Sequence, residues 1–117
     1  MLFRSSASKD LLRSEMGADA ALGLAVALHA AGRDEASDAW MAALPELAAG
    51  TDAAARAPMW RLAHAIDRRD LPAMRAALER MPPRTLTPSL AGSAARVAWR
   101  SADPDAAAVM EIGRAHV

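Results

Sequence analysis

The chain has no cysteine among its 117 residues. That excludes disulfides and thiolate metal sites and says little about compartment. Aromatic residues make up only 3% of it, and β-branched residues are scarce, so a sheet has little to be built from. Lys9 is the only lysine, and this preference for arginine points to a GC-rich bacterial genome. No apolar run reaches the ~18 residues needed to span a bilayer; Ala20 to Ala31 comes nearest and is too short. An excess of charge is missing too. Fourteen Lys and Arg balance fourteen Asp and Glu, which argues against a dedicated nucleic-acid domain and its strongly basic surface. Gly-rich phosphate loops, nucleophile elbows, paired carboxylates and metal-ligand spacings are all wanting. We therefore expect no catalytic, cofactor-binding or metal-binding residues here, and whether the chain serves an enzyme stays open.

What is present is helix-forming. Hydrophobic residues make up 53% of the chain, many of them alanine, the residue with the highest helix propensity. The 6 glycines and 7 prolines mostly lie between periodic runs. Ser8 reads as the cap of a short helix that Gly17 stops, and Asp19 as the cap of Ala20 to Ala31, which is apolar nearly all round and expected to be buried. Asp34 reads as the cap of a helix with Ala36, Trp40, Ala43 and Leu47 on its inner stripe, kinked or ended by Pro45. Pro58 reads as a fresh start, with Met59, Leu62, Ala63 and Ile66 inward. Asp70 caps the next helix, whose inner stripe is Leu71, Met74, Leu78 and Met81, and Pro82-Pro83 ends it. Thr87-Pro88 opens a helix to Ser101 with Leu90, Ala94 and Val97 inward, and Asp103-Pro104 repeats that start signal. Trp40, Trp60 and Trp99 are expected to be the large plugs of the core.

The connections look alike. Gly32-Arg33-Asp34-Glu35-Ala36, Arg69-Asp70-Leu71-Pro72-Ala73 and Ala102-Asp103-Pro104-Asp105-Ala106 each join two helices through an Asp followed by an Ala. A period in the mid-thirties with two helices per unit is the signature of an α-solenoid, in which neighbouring hairpins share a core. Leu24, Ala25, Leu28, Gly32, Ala36, Trp40 and Ala43 carry a resemblance to the tetratricopeptide repeat family, extending loosely over Ala20 to Met110. Arg69, where that family favours Gly, departs from it, as does the lack of an aromatic partner in the third unit. The resemblance implies an all-α fold of antiparallel helical hairpins stacked as a short right-handed solenoid.

Both ends resemble translated sequencing-adapter DNA. Leu2, Phe3, Arg4 and Ser5 match CTC TTC CGA TCT, and Glu111 to Val117 match GAG ATC GGA AGA GCA CAC GTC, the two strands of one short-read adapter. We read residues 1–5 and 111–117 as adapter-derived and 6–110 as a helical-repeat fragment of a larger protein from a mixed library. Localisation stays open.

Candidate functional residues are few. In a tetratricopeptide-like array the first helix of each hairpin lines the concave groove, and this places Arg61, His64, Arg68, Arg96 and Arg100 as a basic strip for acidic peptide segments or C-terminal carboxylates. An ordinary solvated face accounts for the same pattern. His64 and Asp67, three apart, read as a surface pair, and His29 as a semi-core histidine. Two functions stay open: a protein–protein interaction scaffold segment of a bacterial helical-repeat protein, and a helical accessory domain of an enzyme whose active site lies elsewhere. A non-native reading frame is the third alternative. The expected partner is a protein or peptide, with no nucleic acid and no membrane span. Self-association through exposed Leu11, Leu12, Val109 and Met110 is the remaining expectation.

Overall fold

Short oxygen-bearing side chains set the helix starts. The structure, a computed structural model, describes residues 10–101 and 104–116. Within them run α1 (Glu15–Ala30), α2 (Asp34–Leu47), α3 (Asp52–Arg68), α4 (Leu71–Arg80), α5 (Pro88–Arg100) and α6 (Asp105–His116). No strand occurs among the described residues, so the fold is all-helical. Ser14, Thr51, Asp70 and Thr87 each accept a hydrogen bond from the backbone amide three residues on, at 3.0–3.3 Å. That contact satisfies one of the amides a helix leaves free at its start. Pro88 follows its cap at the first helical position, where a missing N–H costs nothing. The caps proposed at Ser8 and Asp103 lie outside the described residues.

Several sequence expectations are corrected. Gly17 lies inside α1 and does not stop a helix. A Cβ there would overlap the Leu11 carbonyl, so this glycine permits the chain's close approach before Ser14. Asp34 is the first residue of α2, not its cap. The cap position belongs to Arg33, which makes no side-chain capping bond, and the Asp34 carboxylate faces His29 Nδ1 at 2.9 Å. Pro45 lies inside α2, which runs on only to Leu47. Pro58 is interior to α3, whose start lies six residues earlier at Asp52. Thr51 and Gly50 (φ +89°) supply the start signal that Pro58 seemed to give.

The chain's contacts form two compact units, Met1–Trp60 and Arg61–Val117, with the boundary inside α3. In the first, α1 packs against α2 through small residues. Ala18 and Ala25 of α1 and Met41 and Leu44 of α2 are all within 1% of full burial. The buried stripe of α2 is Ser37, Met41 and Leu44, continued by the C-cap residue Ala48, one residue beyond the expected Ala36, Trp40, Ala43 and Leu47. The shift places a polar residue at the centre. Ser37 Oγ donates to the Ala25 carbonyl at 2.6 Å, so its burial leaves no unmet hydrogen bond. Charged groups also join α1 to α3 at the surface: Glu15 accepts from the Asp52 amide, and Arg56 donates to Asp19 at 2.7 Å.

In the second unit α6 packs against both α4 and α5. The expected inner stripe of α4 is observed, since Leu71, Met74, Leu78 and Met81 are all at most 3% exposed. In α5 the fully buried residues are Ala94 and Ala98, with Leu90 and Val97 half-buried. Arg75 of α4 donates to Glu79 and to Asp105 of α6, and these two carboxylates, Glu79 foremost, hold its guanidinium above its ordinary pKa.

The tryptophans are not core plugs. Trp99 is 79% and Trp60 39% exposed, and only Trp40 packs, half-buried, against the first unit's core. Volume is supplied by leucine and methionine, with alanine at the close helix crossings. Leu12 and Val109 are buried, whereas Leu11 is exposed, which removes two of the four residues named above for self-association.

Candidate functional site: a cationic cleft in the second unit

The end of α3 is built by its last turn. The Arg69 amide donates to the Ile66 carbonyl and the Asp70 amide to the Ala65 carbonyl, the paired bonds of a left-handed helix terminus. Arg69 takes φ +55° to make them. The same pattern closes α1, where the Gly32 amide donates to His29 and the Arg33 amide to Leu28, with Gly32 at φ +79°. The residue after the left-handed one, Arg33 or Asp70, is also the cap position of the next helix. The two turns therefore share one backbone hydrogen-bond pattern. Gly32 to Arg69 and Arg33 to Asp70 are both steps of 37 residues, which aligns Asp70 with Arg33 rather than with Asp34.

Beside this terminus lies a cleft of about 590 Å³, lined by Ile66, Asp67, Arg69, Ser93, Arg96, Val97, Arg100 and Ser101. Its wall on α5 follows helical periodicity: Ser93, Arg96, Val97 and Arg100 recur at three- and four-residue steps and share one face. Arg96 Nη2 donates to Ser93 Oγ at 3.1 Å, and Ser93 Oγ donates to the Ser89 carbonyl at 3.1 Å. This relay fixes Arg96 against its own helix. Arg69, Arg96 and Arg100 form no ion pair among the described residues. Three permanently charged guanidinium groups face one lining carboxylate, Asp67. Such a surface is suited to carboxylate or other oxyanion groups, which arginine binds with two parallel hydrogen bonds.

The five residues of the proposed basic strip separate. Arg96 and Arg100 line the cleft. Arg61 is half-buried, Arg68 lies 3.9 Å from the Asp70 carboxylate with its side chain 18% exposed, and His64 is 7% exposed. His64 is thus a buried residue, not half of a surface pair with Asp67. It stands next to Ala65 on the packed side of α3. Arg69 was missed as a site residue because it looked like a defect at a glycine position. Its signal was the turn itself, which sets Arg69 apart from the helical run of Arg61 and Arg68.

His29 is held by Asp34 across the first turn, its side chain 15% exposed, in keeping with a semi-core histidine. Among the described residues no group of three or more His, Asp or Glu is placed to hold a metal ion, and no helix is long and apolar enough to cross a membrane. No family model matches this chain, and no curated protein or solved structure is significantly similar to it.

Proposed function

We propose that this chain is a helical-hairpin repeat segment that binds a protein partner, and that the cleft beside Arg69 takes an acidic stretch of that partner. The observation that carries the proposal is the group of three arginines, Arg69, Arg96 and Arg100, free of ion pairs among the described residues around one cleft. An arginine kept only for solubility gains nothing from such convergence, and mutual repulsion makes it unfavourable without an anion to share. The cleft's volume lies in the range that holds a short segment of ligand.

The repeat reading is supported by the matching turns at Gly32 and Arg69 and by the packing of α6 against both the preceding hairpin's second helix, α4, and its own partner, α5. Within the second unit α6 thus shares the flank of the helix before its own partner, as neighbours do in tetratricopeptide-like arrays. On this reading residues 6–110 belong to a longer bacterial repeat protein and the flanking residues to adapter DNA.

The test is a titration of a fluorescently labelled Glu/Asp-rich peptide against the full chain at low salt, with the Gln/Asn version of the peptide as control. The acidic peptide is expected to bind and the amide version not. Arg69→Glu with Arg96→Glu should weaken binding by about tenfold or more, with the melting temperature unchanged or raised. Equal binding of both peptides, or of the wild-type and doubly substituted chains, refutes the assignment.

A further inference from the structure

We propose that the acidic segment taken by the arginine cleft carries an adjacent aliphatic side chain, and that Trp99 with the shallow groove beside it seats that side chain. This inference rests on the cleft reading above and supplies the second half of the ligand.

Trp99 stands on the last turn of α5 and is 79% exposed. Helical side chains lean toward the preceding turn, and the residues there, three and four positions before Trp99, are Arg96 and Ala95. Around α5, at 100° per residue, Arg96, Gly92, Trp99 and Ala95 follow one another in that order within an arc of about 100°. Arg96 opens the arc and lines the cleft. Its guanidinium is held at that edge: Nη2 donates to Ser93 Oγ at 3.1 Å, and Nη1 lies 3.7 Å from where a Cβ on Gly92 would stand. At the far side of the arc, Gly92 and Ala95 belong to a second groove, of about 300 Å³, between α5 and α6. Ala91 of α5 and Val109, Met110 and Gly113 of α6 complete its apolar walls. Cation, indole and apolar groove thus succeed one another across one helix.

This order of neighbours selects the occupant. A wholly apolar partner would desolvate Arg96 without supplying a counter-charge, which is costly. A wholly acidic one would leave the indole in water and lay carboxylates against alanine. A segment with carboxylates toward Arg69, Arg96 and Arg100 and an aliphatic group toward Trp99 satisfies both halves. Tryptophan and arginine side by side, desolvated by a partner, are the residues in which interface energy concentrates. The groove's glycine and alanine walls leave it shallow, and the flexible Met110 side chain adapts to an aliphatic group laid in it.

Three labelled peptides titrated against the full chain at low salt test this: a run of Glu followed by a Leu pair, the same run followed by a Ser pair, and a run of Gln followed by the Leu pair. The Glu–Leu peptide should bind about tenfold more tightly than the Glu–Ser peptide, and the Gln–Leu peptide should not bind. Trp99→Ala, with its melting temperature unchanged because the indole is exposed, should reduce the Glu–Leu peptide to the affinity of the Glu–Ser one and leave the latter unaltered. Equal binding of the two Glu peptides by the wild-type chain overturns the proposal while leaving the cleft reading intact. So does a preference for Leu that survives Trp99→Ala. Failure of every peptide to bind overturns both. Sedimentation velocity covers the remaining occupant, since self-association abolished by Trp99→Ala would assign the indole to a second copy and overturn the proposal.

Discussion

The first turn, at Gly32, and the second, at Arg69, share one backbone hydrogen-bond pattern made from different residues. Both end a helix with a left-handed residue, both donate two amides back to the last turn, and in both the next residue begins the following helix. At Gly32 the positive φ carries no steric cost. At Arg69 a Cβ crowds the following carbonyl, a strain of roughly 1–2 kcal/mol. The hydrogen-bond pattern thus fixes the turn, and the residue at its centre decides only what the turn costs. The second turn bears that cost at the edge of the cleft, where the strained residue contributes a cation.

The comparison can be tested most sharply through what each hairpin buries. Leu78 of α4 is fully buried and Leu24 of α1 is 43% exposed. Leu78→Ala should cost about 2–5 kcal/mol in chemical denaturation, and Leu24→Ala no more than about 0.5 kcal/mol. Similar losses for both would mean that α1's outer face is covered in the monomer. The turns come next, with opposite signs. Gly32→Ala should destabilise by about 1–2 kcal/mol, whereas Arg69→Gly should stabilise by up to about 1 kcal/mol, the gain being trimmed by glycine's greater freedom when unfolded. Thermal melts of both variants decide this, and a stabilising Gly32→Ala would show that the first turn is not left-handed. The smallest effect concerns the surface bond between α1 and α3. Arg56→Ala should cost about 0.2–1 kcal/mol at low salt and nothing measurable at high salt, since both partners of the Arg56–Asp19 pair are largely exposed.

The sequence made α4 legible because each signal there agreed with the others: an Asp cap, a single apolar stripe, and a proline pair to end it. α2 was read one residue out of register. Trp40 looked like the natural core residue and Ser37 did not, yet a serine that can bond a facing carbonyl packs more closely than an indole. Pro58 misled because proline at a helix start and proline inside a helix look the same locally, and the cap that distinguishes them, Thr51, lies seven residues away. Gly17 misled in the same manner, since a glycine needed for close approach resembles one needed to stop a helix. Of the cleft, Arg96 and Arg100 were visible as a four-residue repeat on one face. Arg69 was invisible as a ligand-facing group because its place depends on the left-handed turn, which the sequence pattern marked as an anomaly.

Because Arg33 and Asp70 each belong to two helices at once, neither hairpin turn has a residue to spare. Adding or deleting one there would spin the following helix by about 100° and turn its apolar stripe toward water. A change of length is better absorbed in the connections 48–51 and 81–87, which already differ in length. A tag, label or peptide epitope inserted at 82–85 should leave α4 and α5 intact, while the same insertion after Gly32 or Arg69 would turn the following helix out of phase.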